Sequence, residues 1–146
     1  MVLTGKYVPI IGQGKARWNN VHVADLAQLF VLLTEAAVKN NTDSELWNKK
    51  GYYLVENGEH LWADLAQLMG KRAHELGLVD KKLEENSLGK DKAIDQAGFE
   101  AVSWGFNSRG KAVRAKKVVG WEPKAPSIED TVDEILKDEK SRLDKK

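Results

Sequence analysis

The stretch Gly51-Tyr52-Tyr53-Leu54-Val55-Glu56-Asn57-Gly58 and the residues just beyond it decide the fold class. GYYLVE joins aromatic and β-branched residues, which suit a pleated, half-buried surface, and it is the best strand candidate in the chain. Asn57-Gly58 ends it. Leu61, Leu65, Leu68, Met69, Ala73 and Leu76 then recur at helical spacing, and Gly77 stands where a C′ glycine stops a helix. Gly70, inside that helix, costs about 1 kcal/mol relative to Ala unless a close neighbour needs the space. Strand followed at once by helix is the unit of an α/β protein.

The pattern repeats outward. Upstream, Val8–Ile11 is a short apolar run closed by Gly12 and Gly14, and 21–23 (Val-His-Val) is a second short strand. Residues 25–38 form a helix with Leu26, Leu29, Phe30, Leu33 and Ala37 on one face; Val31, Leu32 and Ala36 widen it until it is apolar over most of its circumference. Downstream, 79–90 reads as a solvated loop, 91–97 as a short helix ending at Gly98, and 101–104 as a weak strand. Residues 108–119 form a helix with Ala112, Ala115, Val118 and Val119 inward, stopped by Gly120-Trp121-Glu122-Pro123. The last helix starts at Pro126–Asp130, where Ser127 and Asp130 resemble a capping box. Its inner face is Ile128, Val132, Ile135 and Leu136, and its tail frays. A few short strands with about four to five helices predict an α/β chain with a partial Rossmann-type fold, as a single domain over 1–146. Four visible strands are few for a complete doubly wound sheet.

Composition excludes several classes. Lys and Arg total 23 and Asp and Glu 22, so a net charge of +1 gives no global attraction to nucleic acid or an anionic membrane. The chain has no cysteine, which rules out disulfides, thiolate catalysis and cysteine zinc sites. No apolar run is long enough for a signal peptide or a membrane span, and a cytoplasmic location is expected.

Individual motifs are weak. Gly105-Phe106-Asn107-Ser108-Arg109-Gly110-Lys111-Ala112 follows G-x-x-x-x-G-K-[ST] up to its last position. Ala112 has no oxygen for Mg²⁺, so nucleotide-phosphate binding at Gly105–Lys111 is the weakest reading. Gly12-Gln13-Gly14 starts like G-x-G-x-x-G, but Arg17 holds the third glycine's place and a turn is expected instead. Tyr7, Tyr52 and Tyr53 have no lysine four residues on, so no Tyr-x-x-x-Lys pair exists. Of the three histidines, His22, His60 and His74, only His60 could share a helical face with an acid, Asp64 at i, i+4, and with no third clear ligand no metal site is expected.

Four strings in register carry a resemblance. Trp18–Ala27 contains a His-Val-x-Asp-Leu-Ala pattern. Gly51–Glu59 with 62–66 (Trp-Ala-Asp-Leu-Ala) supplies a following strand and helix. Residues 108–123 resemble a late helix ending in Gly-Trp-x-Pro, and 127–130 a terminal helix start. Together they resemble the C-terminal part of extended (atypical) short-chain dehydrogenases/reductases, the NAD-dependent epimerase/dehydratase group, most like fungal-type members.

The resemblance implies hydride transfer at a carbonyl or alcohol carbon in an intact enzyme, with NAD(P) as cofactor. It places the Gly-rich nucleotide turn and the Tyr-x-x-x-Lys pair upstream of the matched region. The chain has neither, which is expected of a fragment with C-terminal substrate-lobe segments, no cofactor of its own and no catalytic residue. It further implies that Arg17, Trp18, Asn19, His22 and Arg109 approach the substrate. Many relatives carry an Arg-Asp-aromatic triplet where this chain has Ala16-Arg17-Trp18-Asn19-Asn20, which argues against a nucleotide sugar. The alternative is a non-catalytic interaction or oligomerisation domain, with the apolar helix 25–38 and a bare strand edge favouring a homo-oligomer.

Overall fold

A computed structural model describes residues 2–145. In chain order it contains β1 (Val8–Ile11), β2 (Arg17–Asn19), α1 (Val23–Val38), a 3-10 turn (Asn48–Lys50), β3 (Glu59–Leu61), α2 (Trp62–Glu75), β4 (Glu85–Leu88), α3 (Lys90–Ala97), a longer 3-10 segment (Phe99–Gly105), α4 (Val113–Val119) and α5 (Ile128–Leu143). This is the α/β architecture expected, a partial Rossmann-type fold. Two compact units divide the chain. The first holds the residues up to Trp18, His60–Ser108 and those from Ile128 on; the second holds Asn19–Glu59 and Arg109–Ser127.

The first unit is built on β1. It pairs in parallel with β4, Val8 opposite Glu85 and Ile11 opposite Leu88. Val8 N–H donates to Glu84 O (2.8 Å) and Gly12 N–H to Leu88 O (3.0 Å), extending the ladder at both ends. α2 packs on β1, and α5 on α2. Val8, Ile10, Leu65, Ala73, Val132 and Leu136 are buried together in one cluster, and Ile11, Leu88, Ala93 and Ala101 in a second. Gly70 is where α2 crosses β1. A Cβ there would overlap Val8 Cγ2, so the close approach explains the glycine. Arg72 on α2 grips Asp133 on α5 with both arms, Nε to Oδ1 at 2.7 Å and Nη2 to Oδ2 at 2.5 Å. That guanidinium holds the Asp133 carboxyl below its ordinary range. His60 is buried against Trp62, the ring centroids 4.9 Å apart and edge-to-face. Burial pushes its imidazole below the ordinary 6.5, against a smaller opposing pull from Glu129.

The second unit packs α1 against α4. Leu29, Ala112, Ala115 and Trp121 form its buried core. Trp121 is fully buried, and its indole N–H donates to Asp25 O at 2.7 Å. The Asp25 carboxylate, also buried, accepts from Lys124 N–H (2.8 Å) and Ala125 N–H (3.1 Å). Gly120, at φ +66°, turns the chain out of α4 in the left-handed conformation a C′ glycine supplies. The Gly-Trp-x-Pro stop is therefore bolted to the start of α1.

Several expected elements differ. Residues 51–56 form no strand. Their β-type residues are held by side chains instead: Tyr53 OH donates to Leu46 O (3.0 Å), and Tyr53 and Val55 pack on the Trp121 core. Val21-His22 is not a strand either. His22 caps α1, its Nδ1 accepting from Ala24 N–H at 3.1 Å, and Val23 is already helical. The region 79–90 is not a solvated loop, since Val79 and Leu83 are buried and β4 follows. Three of the four β4 residues are exposed, so the strand has no apolar pattern to read. Residues 101–104 lie in the 3-10 segment, where Ser103 Oγ donates to Glu100 O (2.6 Å). The C-terminal tail is helical to Leu143, and Ile135 faces outward at 41% exposure.

Three outcomes follow from this packing. Gly70→Ala gains helix propensity but overpacks against Val8; a net loss of about 1–2 kcal/mol is expected in chemical unfolding, largely recovered in the Val8→Ala background. Asp25→Ala leaves two amides beside Trp121 without acceptors and is expected to cost roughly 2–5 kcal/mol, with Asp25→Asn costing less. His60 takes up its proton at lower pH in the fold than in the unfolded chain, where it does so near its ordinary value. Stability is therefore level above pH 6.5 and falls as pH drops through 6.5. Urea midpoints measured from neutral pH down to about pH 5.5 should show this slope in the parent and a shallower one in His60→Gln.

Candidate functional site

In open α/β sheets a ligand crevice lies outside the carboxyl ends of the parallel strands. β1 ends at Ile11, and the turn Gly12–Lys15 leads to β2. A cleft of about 330 Å³ opens there, lined by Ile11, Gln13, Lys15, Ala16, Phe106 and Asn107 with Gly14 and Gly105. All of these residues belong to the first unit. Gly14, at φ +71°, turns the chain, and a Cβ on it would press on Ala63 at 2.7 Å and Ile10 at 2.9 Å. The backbone is thus seated firmly on α2, while Gln13 and Lys15 are exposed. Asn107 Oδ1 accepts from Arg17 N–H (2.9 Å), Ser108 N–H donates to Arg17 O (2.9 Å), and Trp18 Nε1–H donates to Phe106 O (2.8 Å). These bonds hold the 105–108 segment against β2 and fix the cleft's second wall. The cleft offers an ammonium, two side-chain amides and an apolar floor, which suits a small polar or carbonyl-bearing molecule.

The first unit also holds an aromatic stack. Trp62 and Trp104 are stacked with centroids 5.3 Å apart, and Trp18 meets Trp62 edge-on at 5.3 Å. A separate apolar hollow of about 150 Å³ lies between Trp62, Trp104, Pro9 and Met69.

Of the residues the resemblance assigned to the substrate, Arg17 and Trp18 stand on β2 beside the cleft. Asn19 holds the start of the segment before α4, with its Oδ1 accepting from Gly110 N–H and its Nδ2 donating to Gly58 O (3.4 Å). His22 is the α1 cap. Arg109 pairs with Glu59, Nε to Oε2 at 2.9 Å. Asn19, His22 and Arg109 lie in the second unit. Gln13, Lys15 and Asn107 were missed. The Gly-x-Gly turn announced their loop, but only β1's pairing direction shows that it stands at a carboxyl edge.

The turn after β1 is not built like a dinucleotide phosphate loop. The turn after β1 leads to β2 rather than to a helix N-terminus, and Gly14 faces Ala63 rather than a pyrophosphate. The segment Gly105–Lys111 is no better as a phosphate cradle. Gly110 N–H is taken by Asn19, and Ala112 N–H by Glu56 Oε1 (3.4 Å), which sets a carboxylate where phosphate would sit. Among the described residues, no group of three or more His, Asp or Glu is placed to hold a metal ion, and no helix is long and apolar enough to cross a membrane.

No family model matches the chain. A curated relative, the oxidase ucsJ of Acremonium sp., is 33% identical over 139 residues, covering 91% of this chain. The chain spans 40% of that oxidase's length. It is therefore similar to part of an oxidoreductase.

Proposed function

We propose that this chain is the substrate-side portion of an NAD(P)-dependent oxidoreductase acting on a carbonyl or alcohol carbon, and that alone it neither binds the dinucleotide nor turns over. The observation that carries this is the polar cleft at the carboxyl end of β1, walled by Gln13, Lys15 and Asn107. Similarity to an oxidase along nearly the whole chain supports the reaction class. In this reading Lys15 and the amides of Gln13 and Asn107 donate to a substrate oxygen. Asn107 Oδ1 is engaged by Arg17, so its N–H groups are the ones turned to donation. Arg17 and Trp18 hold the Phe106–Ser108 segment that forms one wall, while Asn19, His22 and Arg109 hold backbone or an ion pair in the second unit. The misfit of the Gly12–Ala16 turn to a pyrophosphate is the reason no cofactor is assigned to this chain.

Tryptophan fluorescence titration with NADH and with NADPH checks the reading, and no saturable change is expected. Micromolar binding of either would overturn it. Small ketones and secondary alcohols are expected to move the NMR resonances of Gln13, Lys15 and Asn107. If they leave this cleft unmoved, the substrate assignment fails.

A further inference from the structure

The apolar hollow beside β1 is furnished for one flat ring. Trp62, Trp104, Pro9, Ile11 and Met69 are among its walls, all in the first unit. Every lining side chain is apolar apart from the two indole N–H groups. Its volume, about 150 Å³, is the size of cavity that holds a single benzene ring. The stacked indoles of Trp62 and Trp104, 5.3 Å apart, and the Met69 thioether favour an aromatic guest over an alkyl one.

One group in the walls lacks a partner. Trp62 Nε1–H is buried and meets no acceptor among the described residues. An indole N–H only donates, so what completes it is an acceptor such as oxygen. A single water is a poor occupant, since it needs several polar partners and these walls supply few. A peptide strand is a poor occupant too. β1 pairs with β4 alone among the described residues. Val8 and Gly12 N–H donate toward β4, so in this register Pro9 and Ile11 turn their backbone groups to the other edge. There Pro9 has no N–H to give, and Ile11 O already accepts from Gly14 N–H (3.0 Å).

The hollow also adjoins the polar cleft. Ile11 lines both. The chain passes directly from Trp104 in the wall of the hollow to Gly105 and Phe106 in the wall of the cleft. An apolar compartment joined to a few polar groups is the usual make-up of a small-molecule site.

We propose that the hollow is the ring pocket of the substrate site, and that the substrate is a single-ring aryl ketone or benzylic alcohol bearing a phenolic oxygen. The ring lies in the hollow, its oxygen accepts from Trp62 Nε1–H, and the ketone or alcohol carbon reaches the cleft of Gln13, Lys15 and Asn107. This inference deepens the proposed function and rests on it for the chemistry in the cleft.

NMR titration of the full chain with acetone, cyclohexyl methyl ketone, acetophenone and the meta- and para-hydroxyacetophenones tests it. A hydroxyacetophenone is expected to move the Trp62 indole N–H and the Gln13, Lys15 and Asn107 resonances together, with one dissociation constant. It should bind about tenfold tighter than cyclohexyl methyl ketone, from the aromatic contact and the added hydrogen bond. Ala66→Leu puts a larger side chain into the hollow and should bring the aryl ketones down to the affinity of acetone. If acetone moves the cleft but the aryl ketones bind no tighter than cyclohexyl methyl ketone, or leave the Trp62 indole unmoved, the inference fails and the reading of the cleft stands. If no ketone moves the cleft, both fail. A folded Ala66→Leu chain that binds the hydroxyacetophenones as tightly as the parent also overturns the inference, and the parent titrations decide it even if that variant does not fold.

Discussion

Everything in the first unit depends on one non-local pairing, β1 with β4 in parallel. Parallel strands cannot be joined by a tight turn, so a long crossover must separate them. Here the crossover contains α2, which returns over β1, and it also contains the Asn19–Glu59 excursion into the second unit. The pair is only four residues long, yet three of the four β1 residues are buried. That burial comes from the cover on its faces, not from the width of the sheet. It also makes Gly70 unavoidable, because α2 can lie this close to Val8 only where it has no side chain. The cleft inherits its position from the same pairing: parallel strands deliver their carboxyl ends to one edge, and the β1 end is where Gln13 and Lys15 emerge.

The second unit depends on a different device. Its helices are joined by a few buried polar bonds rather than a sheet. Asp25 collects the amides of Lys124 and Ala125 with its side chain and the Trp121 indole with its carbonyl. A buried carboxylate is costly unless its oxygens are satisfied, and here backbone donors satisfy it. The Asp of the His-Val-x-Asp-Leu-Ala string and the Trp of the Gly-Trp-x-Pro string are therefore structural partners. Two of the strings that carry the family resemblance are the two halves of one contact.

Elements with a periodic apolar face were legible in the sequence. The α2 stripe and its stop at Gly77, the α3 stop at Gly98 and the β1 run stand where residue type alone placed them. What failed has a common cause. β4, with Glu85, Asn86 and Ser87 exposed, forms through its backbone, and nothing in its side chains announces it. GYYLVE failed in the opposite sense: Tyr53 and Val55 are placed by packing on Trp121 and Leu29, and the same residue types serve a packed coil as well as a ladder. The cleft was half legible. The Gly-x-Gly turn is visible, but the pairing of Asn107 with Arg17 spans the greater part of the chain, and no local pattern predicts it.

Helix α1 shows how far periodicity can carry an argument. A helix apolar on most sides was expected to have partners on several of them. The inner partners are α4 and Trp121. On the outer side, exposure converts a vague expectation into a defined surface. Evenly spread apolar residues would only have made the chain prone to association. Here Val23, Phe30, Val31 and Val38 are gathered on the side opposite Asp25 and Leu29, so the periodicity that marks the buried face of α1 also marks a bare one.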